Sequence, residues 1–431
     1  MLTVTIIAII AFGLLTGSML GVLIGATGLA VLHFEFAGNF SVLGNATWNV
    51  FNSFTFTAVP TFILLGEILG QSGLARRIYS AISPTFERLP GQLLQTNIGA
   101  CTVFSAISGS STATAAVVGS IAYDELISRG YSRRATIGTI AAGGTLGILI
   151  PPSIALIIYG AWQEVSVGAL FIAGIVPGLL LAGLFMVYVG ILARLRPGIA
   201  PAVGALMPLP RALAKSAEAW PFVILVFAIL GTIFLGVATP TEAAALGVLT
   251  SALLAALYRE FSLARLWSAL TATVRTFSTL TLVLVGALVL SQAVALTGLP
   301  RLLIGMVGDA GLSPPVVITL IFAMYLVLGC FFGPIEMLLI TLPFVFPVVT
   351  GLGFDPVWFG IALVIVIEIG LLTPPLGINL FVVMAVSRNK VTLGEAALAC
   401  LPYWLLMLAL LAVITVFPQI ALFLPRISGY G

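Results

Sequence analysis

Long segments without a charged residue recur along this 431-residue chain. No residue from Gln92 to Tyr123 is charged, and the same holds for residues 276–300. Only 7% of all residues are charged and 61% are hydrophobic, whereas charged residues make up about a quarter of an ordinary soluble domain. A helix that crosses a bilayer needs roughly 20 apolar residues. The sequence therefore predicts an all-α polytopic membrane protein.

The composition also excludes several classes of function. The net charge is only +3 and the basic residues are spread over short loops, so we expect no nucleic-acid partner. The cysteines, Cys101, Cys330 and Cys400, lie in apolar segments without the spacing of metal ligands. The sequence carries neither a nucleophile elbow nor a Gly-rich ATP-binding loop. We therefore expect a protein that is not an enzyme, has no cofactor, and draws energy from an ion gradient or from another chain.

The basic residues indicate how the chain is threaded through the membrane. Fifteen of the 17 lie in five polar breaks: Arg76, Arg77 and Arg88; Arg129, Arg133 and Arg134; Arg194, Arg196, Arg211 and Lys215; Arg259, Arg265 and Arg275; and Arg388 and Lys390. The positive-inside rule puts all five breaks in the cytoplasm. This is possible only if two apolar regions, at about 92–123 and 315–349, turn back as re-entrant hairpins. The sequence then predicts nine spans, with a cytoplasmic N-terminus and a periplasmic C-terminus.

The predicted spans follow from the same rule. The apolar run from Leu2 to Leu32 is read as the first span, because it is too long for a cleaved signal peptide. Seven of the later spans have predicted bounds, at about 135–160, 167–193, 218–237, 240–258, 271–297, 357–386 and 394–424. This arrangement leaves Arg301 and Asp309 outside.

Short sequence matches recur between the two halves of the chain. They pair Leu20-Gly21-Val22-Leu23 with Leu246-Gly247-Val248-Leu249, Ser72-Gly73-Leu74-Ala75-Arg76 with Thr297-Gly298-Leu299-Pro300-Arg301, Gly109 with Gly333, and Pro151-Pro152 with Pro374-Pro375. The intervals between matches are 52, 36 and 42 residues in the first half and 51, 35 and 41 in the second. An unpaired span between the halves would invert the second, as in many secondary transporters. We predict a first repeat at 1–217, a linking span at 218–239 and a second repeat at 240–431.

Two spans contain glycines and prolines that should interrupt them. Residues 143–153 break the helix at about 135–160, and residues 370–379 break its repeat partner at about 357–386. Irregular backbone at membrane depth is tolerated only inside the protein or beside a wet cavity. Each break should join two half-helices, whose free carbonyls suit a cation and whose N-termini suit an anion. We predict substrate-binding loops at Pro151, Pro152, Ser153, Pro374 and Pro375.

Hydroxyl groups crowd the predicted tip of the first hairpin. Ser108, Gly109, Ser110, Ser111 and Thr112 offer oxygen ligands for a small cation such as sodium, although small residues also let membrane helices pack closely. Thr114 is interpreted as a packing residue.

Two acidic residues lie near the second hairpin and the second broken helix. A carboxylate at membrane depth is costly and indicates function, so Glu336 and Glu368 are candidate coupling acids. Glu336 could equally cap the second helix of its hairpin, just after Pro334.

Four segments resemble the large membrane subunit of the TRAP (tripartite ATP-independent periplasmic) transporters: SGSSTATAAVVGS, GGTLGILIPPS, ATPTEAAALGV and IGLLTPPLGINLFVV. The resemblance implies an elevator-type carrier in the bacterial inner membrane that takes up a small organic anion with sodium. It implies two partners, a small four-helix membrane subunit and a periplasmic binding protein. It also implies sodium ligands at Ser108 to Thr112 with Gly144 and Thr145, and at Gly333 with Thr373, Gly377 and Asn379. Because no fused small subunit precedes Met1, we expect that subunit to be a separate chain.

A second family stays open at this stage. Self-sufficient sodium- or proton-coupled carriers of the dicarboxylate/citrate type share similar hairpins and need no binding protein. Such carriers usually show Ser-Asn-Thr at the hairpin tips, and neither tip of this sequence does.

Overall fold

The computed structural model describes residues 20–36, 40–201 and 206–429, and all regular structure within these ranges is helical. The first half contains α1 (Leu20–Glu35), α2 (Ser41–Phe51), α3 (Phe54–Gln71), α4 (Leu74–Phe86), α5 (Leu93–Ser108), α6 (Ser111–Ser128), α7 (Arg133–Leu149), α8 (Ile154–Trp162) and α9 (Val167–Leu195). Two connecting helices follow, α10 (Leu209–Ala217) and α11 (Trp220–Phe234). The second half contains α12 (Pro240–Leu257), α13 (Leu263–Thr297), α14 (Leu299–Asp309), α15 (Pro314–Gly329), α16 (Pro334–Gly351), α17 (Pro356–Leu371), α18 (Ile378–Val386), α19 (Leu393–Val416) and α20 (Gln419–Ile427).

Two helical hairpins are present. In the first, α5 and α6 are joined at Gly109 and Ser110; in the second, α15 and α16 are joined by residues 330–333. The first arm of each hairpin has only 16 residues and is therefore about 24 Å long, which is short of the ~30 Å hydrocarbon core. Gly109 ends α5 in the left-handed conformation with φ +62°, which glycine adopts without strain. The predicted hairpin architecture is confirmed.

Two discontinuous helices are also present. The break between α7 and α8 covers residues 150–153, and the break between α17 and α18 covers residues 372–377. The bonds Pro151–Pro152 and Pro374–Pro375 are both cis. In the interrupted helix Arg133–Trp162, 94% of the most apolar window is buried in the protein. The first break therefore lies inside the protein, where irregular backbone is tolerated at membrane depth, whereas Pro374, Pro375 and Leu376 of the second break are exposed.

Corresponding helices of the two halves pack reciprocally. Helix α1 packs on α13, and its repeat partner α12 packs on α3, the partner of α13. At the first contact the two backbones meet through Gly21 and Gly286, and at the second Gly247 lies beside Leu65. Helix α4 packs on the first arm of the first hairpin, α5, whereas α14 packs on the second arm of the second hairpin, α16. The packing of α1 on α13 and of α12 on α3 is what two intertwined repeats produce. The repeat boundaries 1–217, 218–239 and 240–431 stay a prediction.

Seven described helices are long and apolar enough to span a membrane, and eight if the bent pair α10–α11 is one span. This criterion counts α16 as a span although it is a hairpin arm, and it does not count the interrupted helix α17–α18. It also misses α1, whose predicted span begins in residues 1–19, outside the described residues. With these three adjustments the nine predicted spans remain compatible with the structure.

Two details of the predicted arrangement are wrong, and the structure decides a third. The polar break with Arg76 and Arg77 is largely the amphipathic helix α4, because its apolar residues recur on one buried face. Arg275, one of the residues of the fourth polar break, lies twelve residues inside α13 and within the predicted span 271–297. The last span ends at Val416 rather than near residue 424, because Pro418 cannot continue the helix and α20 starts anew.

Two glycines bring the backbones of α15 and α17 into close contact. A Cβ atom on Gly370 would lie 2.6 Å from the Cα of Gly329, so α15 and α17 touch through two glycines. Gly370→Val should therefore push them apart and cost about 1–3 kcal/mol or more through overpacking. Thermal unfolding of the purified protein measures the loss. Gly308→Val is the matched control, since nothing lies within 4 Å of a Cβ there; equal losses in both variants would contradict the assigned contact.

Candidate functional site

Both hairpin tips and both broken helices meet at one cavity of about 310 Å³. Its lining consists of Gly109, Ser110, Ser111, Thr112, Ile148, Ile154, Ala155, Thr276, Leu280, Gly333, Pro334, Ile335, Glu336 and Ile378. Thr276 and Leu280 come from α13, and the other residues come from the hairpins and broken helices. The structure thus brings together elements that are more than 200 residues apart in the sequence.

Four helices begin at this cavity. The first residues of α6, α8, α16 and α18 (Ser111, Ile154, Pro334 and Ile378) all line it. The first amides of a helix lack intrahelical acceptors, and the helix dipole is positive at that end. Four convergent N-termini make the cavity favourable for an anion without a lysine or arginine.

The two repeats cap these N-termini differently. In the first repeat the hydroxyl of Ser110 accepts a hydrogen bond from Ala113 N (3.4 Å), and that of Ser153 accepts one from Leu156 N (3.3 Å). In the second repeat the caps are Gly333 and Gly377, which have no side chain to offer. The free amides of the second repeat are therefore available to a ligand.

Backbone hydrogen bonds tie each hairpin tip to the neighbouring unwound loop. Ile154 N donates to Gly109 O at 3.3 Å, and Leu376 N donates to Cys330 O at 3.1 Å. The two bonds occupy corresponding places in the repeats. They satisfy polar groups that would otherwise cost several kcal/mol each at membrane depth.

Glycines allow α7 to approach the first hairpin tip closely. A Cβ atom on Gly147 would lie 2.5 Å from Ser110 O, and one on Gly144 would lie 2.7 Å from the Cβ of Ala115. Gly109 is equally confined, because its Cβ would lie 2.8 Å from Pro152 O. The tip carbonyls and the carbonyl end of α7 are therefore held together.

The hydroxyls of the first tip form short-range pairs. Ser108 Oγ lies 2.7 Å from Thr114 Oγ1, and Ser110 Oγ lies 3.2 Å from Thr112 Oγ1. Sequence reasoning set Thr114 aside as a packing residue, but it is fully buried and bonded to Ser108. Its position one helical turn after Ser110, and therefore on the same face of α6, was the available signal.

Thr145 and Thr373, both predicted as sodium ligands, point their hydroxyls toward α19. Thr145 donates to Ala142 O (2.6 Å) and lies 3.8 Å from Met407 Sδ. Thr373 donates to Ile369 O (2.8 Å) and accepts from Trp404 Nε1 (3.0 Å). Neither side chain lines the cavity, so the structure offers a cation only their remaining lone pairs or their main chain.

Asn379 is the most unusual polar residue near the second break. It is fully buried at the start of α18, and both its side-chain oxygen and nitrogen lack a hydrogen-bond partner in the structure. A buried polar group without a partner costs about 1–3 kcal/mol. An unmet donor and acceptor beside a binding cavity are typical of a ligand site.

The two candidate coupling acids occupy different environments. Glu336 lines the cavity in the first turn of α16 and folds back over Gly333. It is the only charged residue among the described residues of the cavity wall. Glu368 is fully buried in α17, where one carboxylate oxygen accepts a hydrogen bond from Ser111 and the other has no partner. Ser111 and Glu368 thus join the first hairpin to the second broken helix.

A larger opening, of about 950 Å³, lies elsewhere. It is bordered by the end of α8, the start of α9, the turn between α11 and α12, and α13. Glu164 and Glu242 are its charged described residues, and neither hairpin tip reaches it. The positive-inside rule predicts the periplasmic side of the membrane for this opening.

Two hairpins and two broken helices around a central cavity define a secondary-transporter fold. A solved structure with this fold, the YdaH transporter of Alcanivorax borkumensis, matches with a TM-score of 0.65 over 89% of this chain and 90% of that one. The sequence identity is 17%, so the match concerns the fold alone.

Sequence comparison identifies the protein family, which is more specific than the fold. The family model of the DctM component of the tripartite ATP-independent periplasmic transporters matches residues 3–420, and the chain belongs to this family. It is 37% identical over 377 residues to the C4-dicarboxylate TRAP transporter large permease DctM of Pseudomonas aeruginosa, covering 87% of each chain. It is 34% identical to the sialic acid permease SiaM of Vibrio cholerae (88% of each chain) and 34% identical to the ectoine/5-hydroxyectoine permease UehC of Ruegeria pomeroyi (85% of each chain). The predicted family is confirmed.

The contact between Ser111 and Glu368 can be tested by a double-mutant cycle. Ser111→Ala and Glu368→Leu each leave one buried polar group unpaired, so each should lower the free energy of unfolding by about 1–3 kcal/mol. The double variant should lose clearly less than the sum, because both partners are removed together. Thermal unfolding of the four proteins gives the coupling. Ser120→Ala, on the exposed side of α6, is the control; strict additivity of the first pair would exclude the hydrogen bond.

Proposed function

We propose that the protein is the translocation subunit of a sodium-coupled TRAP transporter that takes up a small organic anion of the carboxylate type. A small four-helix membrane subunit and a periplasmic binding protein complete the transporter, in the bacterial inner membrane. Family membership favours this function over a self-sufficient dicarboxylate/citrate-type carrier. The observation that carries the proposal is the convergence of four helix N-termini on the cavity between the hairpin tips.

The anion binds at the uncapped N-termini of the second repeat. Gly333 and Gly377 leave the first amides of α16 and α18 without side-chain acceptors, and Asn379 adds an unpaired side-chain amide close by. Amides of this kind bind carboxylates well in a site from which water is excluded. A site built so largely from backbone carries little substrate signature, which agrees with the differing substrates in the relatives' names.

The sodium ion binds beside the first hairpin tip. The helices α5 and α7 end there, and because the last carbonyls of a helix lack intrahelical donors, helix C-termini attract cations. The hydroxyls of Ser108, Ser110 and Thr112 supply further hard oxygen ligands. A bound cation also accounts for Glu336, whose carboxylate would otherwise repel an anion in the same cavity. Each ion thus stabilises the binding of the other, which is the physical basis of coupling.

Movement of the hairpins and broken helices as one body against α3 and α13 carries the site across the membrane. In the described residues no side-chain hydrogen bond links α3 or α13 to the hairpins or to the broken helices. The contact of α3 with the first tip is made through Gly66, whose Cβ would lie 3.4 Å from Ser108 O. An interface of small and apolar residues can slide without breaking directional bonds. The binding protein delivers the anion on the side of the 950 Å³ opening.

Sodium binding can be measured without knowing the substrate. Replacing choline chloride by sodium chloride at equal ionic strength should raise the thermal unfolding midpoint. At a sodium concentration a hundredfold above Kd, binding stabilises the folded protein by about 2.7 kcal/mol. The double variant Ser110→Ala/Thr112→Ala should need more sodium for the same rise, whereas Ser120→Ala should behave as the original protein. Equal midpoints in sodium, potassium and choline would refute sodium coupling.

A second prediction concerns the need for the unwound loops in transport. Pro152→Ala with Pro375→Ala restores two backbone amides and favours continuous helix, so it should close both breaks. We expect membrane insertion to be retained and sodium-driven uptake by the reconstituted tripartite transporter to fall at least tenfold. Pro402→Ala, in the uninterrupted helix α19, is the control. Uptake at the original rate by the loop variant would show that transport does not need the breaks.

A further inference from the structure

Another polar cavity, of about 380 Å³, lies away from the transport site. The start of α7, the end of α9 and the first half of α19 come together around it. Its lining consists of Ser132, Arg134, Ala135, Tyr188, Leu192, Leu195, Arg196, Ile199, Ala399, Pro402 and Tyr403. These residues include two arginines and no acid. They flank two of the five basic breaks, so the positive-inside rule puts the cavity at the cytoplasmic surface of the membrane.

The two arginines are free to bind an anion. Neither Arg134 nor Arg196 forms an ion pair with any residue that the structure describes. One nitrogen of Arg134 donates to Leu398 O at 2.9 Å, which fixes the guanidinium against α19 and leaves its other donors free. A guanidinium held in this way is suited to the paired oxygens of a phosphate.

Further donors surround the arginines. Ser132 begins α7 without a capping hydrogen bond from its side chain, so the first amides of that helix remain available to an anion. The rings of Tyr188 and Tyr403 pack edge to face at 5.0 Å. Neither tyrosine hydroxyl has a hydrogen-bond partner among the described residues. The cavity therefore combines two cations, a helix N-terminus and two hydroxyls.

The rim of the cavity is apolar and exposed. Leu195 is 75% exposed, Leu398 56% and Leu401 48%, and all three adjoin the polar lining. A free phosphate has no apolar part that could contact this rim, whereas acyl chains that run along the helices would cover it. A polar, cationic cavity bordered by exposed leucines at the cytoplasmic membrane surface is therefore complementary to an amphiphile with a negative head group.

We propose that this cavity binds the head group of an anionic phospholipid from the cytoplasmic leaflet. Arg134 and Arg196 hold the phosphodiester, the tyrosine hydroxyls and the first amides of α7 donate to its oxygens, and the acyl chains lie along the leucines of α9 and α19. The lipid would join the start of the interrupted helix α7–α8 to the end of α9 and the first half of α19.

The test uses the purified full chain in a neutral detergent and measures its thermal unfolding midpoint against added short-chain lipid. Dihexanoyl-phosphatidylglycerol should raise the midpoint with saturation, and dihexanoyl-phosphatidylcholine should not. A basic side chain near an anionic lipid contributes about a fivefold change in affinity. Arg196→Gln should therefore weaken the phosphatidylglycerol response about fivefold, and Arg134→Gln/Arg196→Gln about 25-fold.

The controls separate the sources of the anion. Arg194→Gln removes a neighbouring arginine of α9 that does not line the cavity, and it should leave the response unchanged. Inorganic phosphate and glycerol phosphate should give little stabilisation, because they lack acyl chains. An equal response to phosphate alone, to phosphatidylcholine, or in the Arg196→Gln variant would overturn the proposal. Loss of the response when the small membrane subunit is bound would overturn it as well, by assigning this face to that subunit.

Discussion

The need to satisfy every backbone polar group at membrane depth governs this structure. An interrupted helix leaves amides and carbonyls without intrahelical partners, and hydrocarbon offers none. The protein meets this need by enclosing the first break and by bonding each unwound loop to a hairpin tip, through Ile154 N to Gly109 O and Leu376 N to Cys330 O. The hairpins are therefore required by the broken helices. The groups left over, four helix N-termini and the nearby carbonyl ends, are those that a transported anion and a cation can satisfy.

The two repeats share this architecture but differ in chemistry. The first tip carries serines and threonines that pair with one another, and its helices α6 and α8 are capped by serine side chains. The second tip carries phenylalanines and a glycine, and its helices α16 and α18 begin at uncapped glycines. Hard hydroxyl oxygens suit a cation, and free amides suit an anion. The first half therefore supports the proposed cation site and the second half the proposed anion site, and both halves contribute to one cavity.

Much of this architecture could be predicted from the sequence, because local chemistry dictates it. Glycine and proline pairs at 143–153 and 370–379 interrupt any helix, and charge-free segments flanked by arginines on one side must turn back. The contact between Ser111 and Glu368 could not be predicted, since the residues are 257 positions apart and belong to different repeats. Arg275 belongs both to a polar break and to the predicted span 271–297, and the structure decides that it lies inside α13. The hydroxyl of Thr145 faces α19, and no sequence pattern indicates such a rotation.

Directional bonds are distributed unevenly over the molecule, and this has a mechanical consequence. Side-chain hydrogen bonds join the first hairpin to α17 through Ser111 and Glu368, and α17 and the loop after it to α19 through Trp358 and Thr373. Among the described residues, no side-chain hydrogen bond joins the hairpins or the broken helices to α3 or α13, and α3 meets the first hairpin tip at Gly66. Dispersion contacts can be exchanged for equivalent ones after a displacement, whereas a buried hydrogen bond must break first. This distribution of bonds supports the proposed movement of the hairpins and broken helices as one body around the cavity.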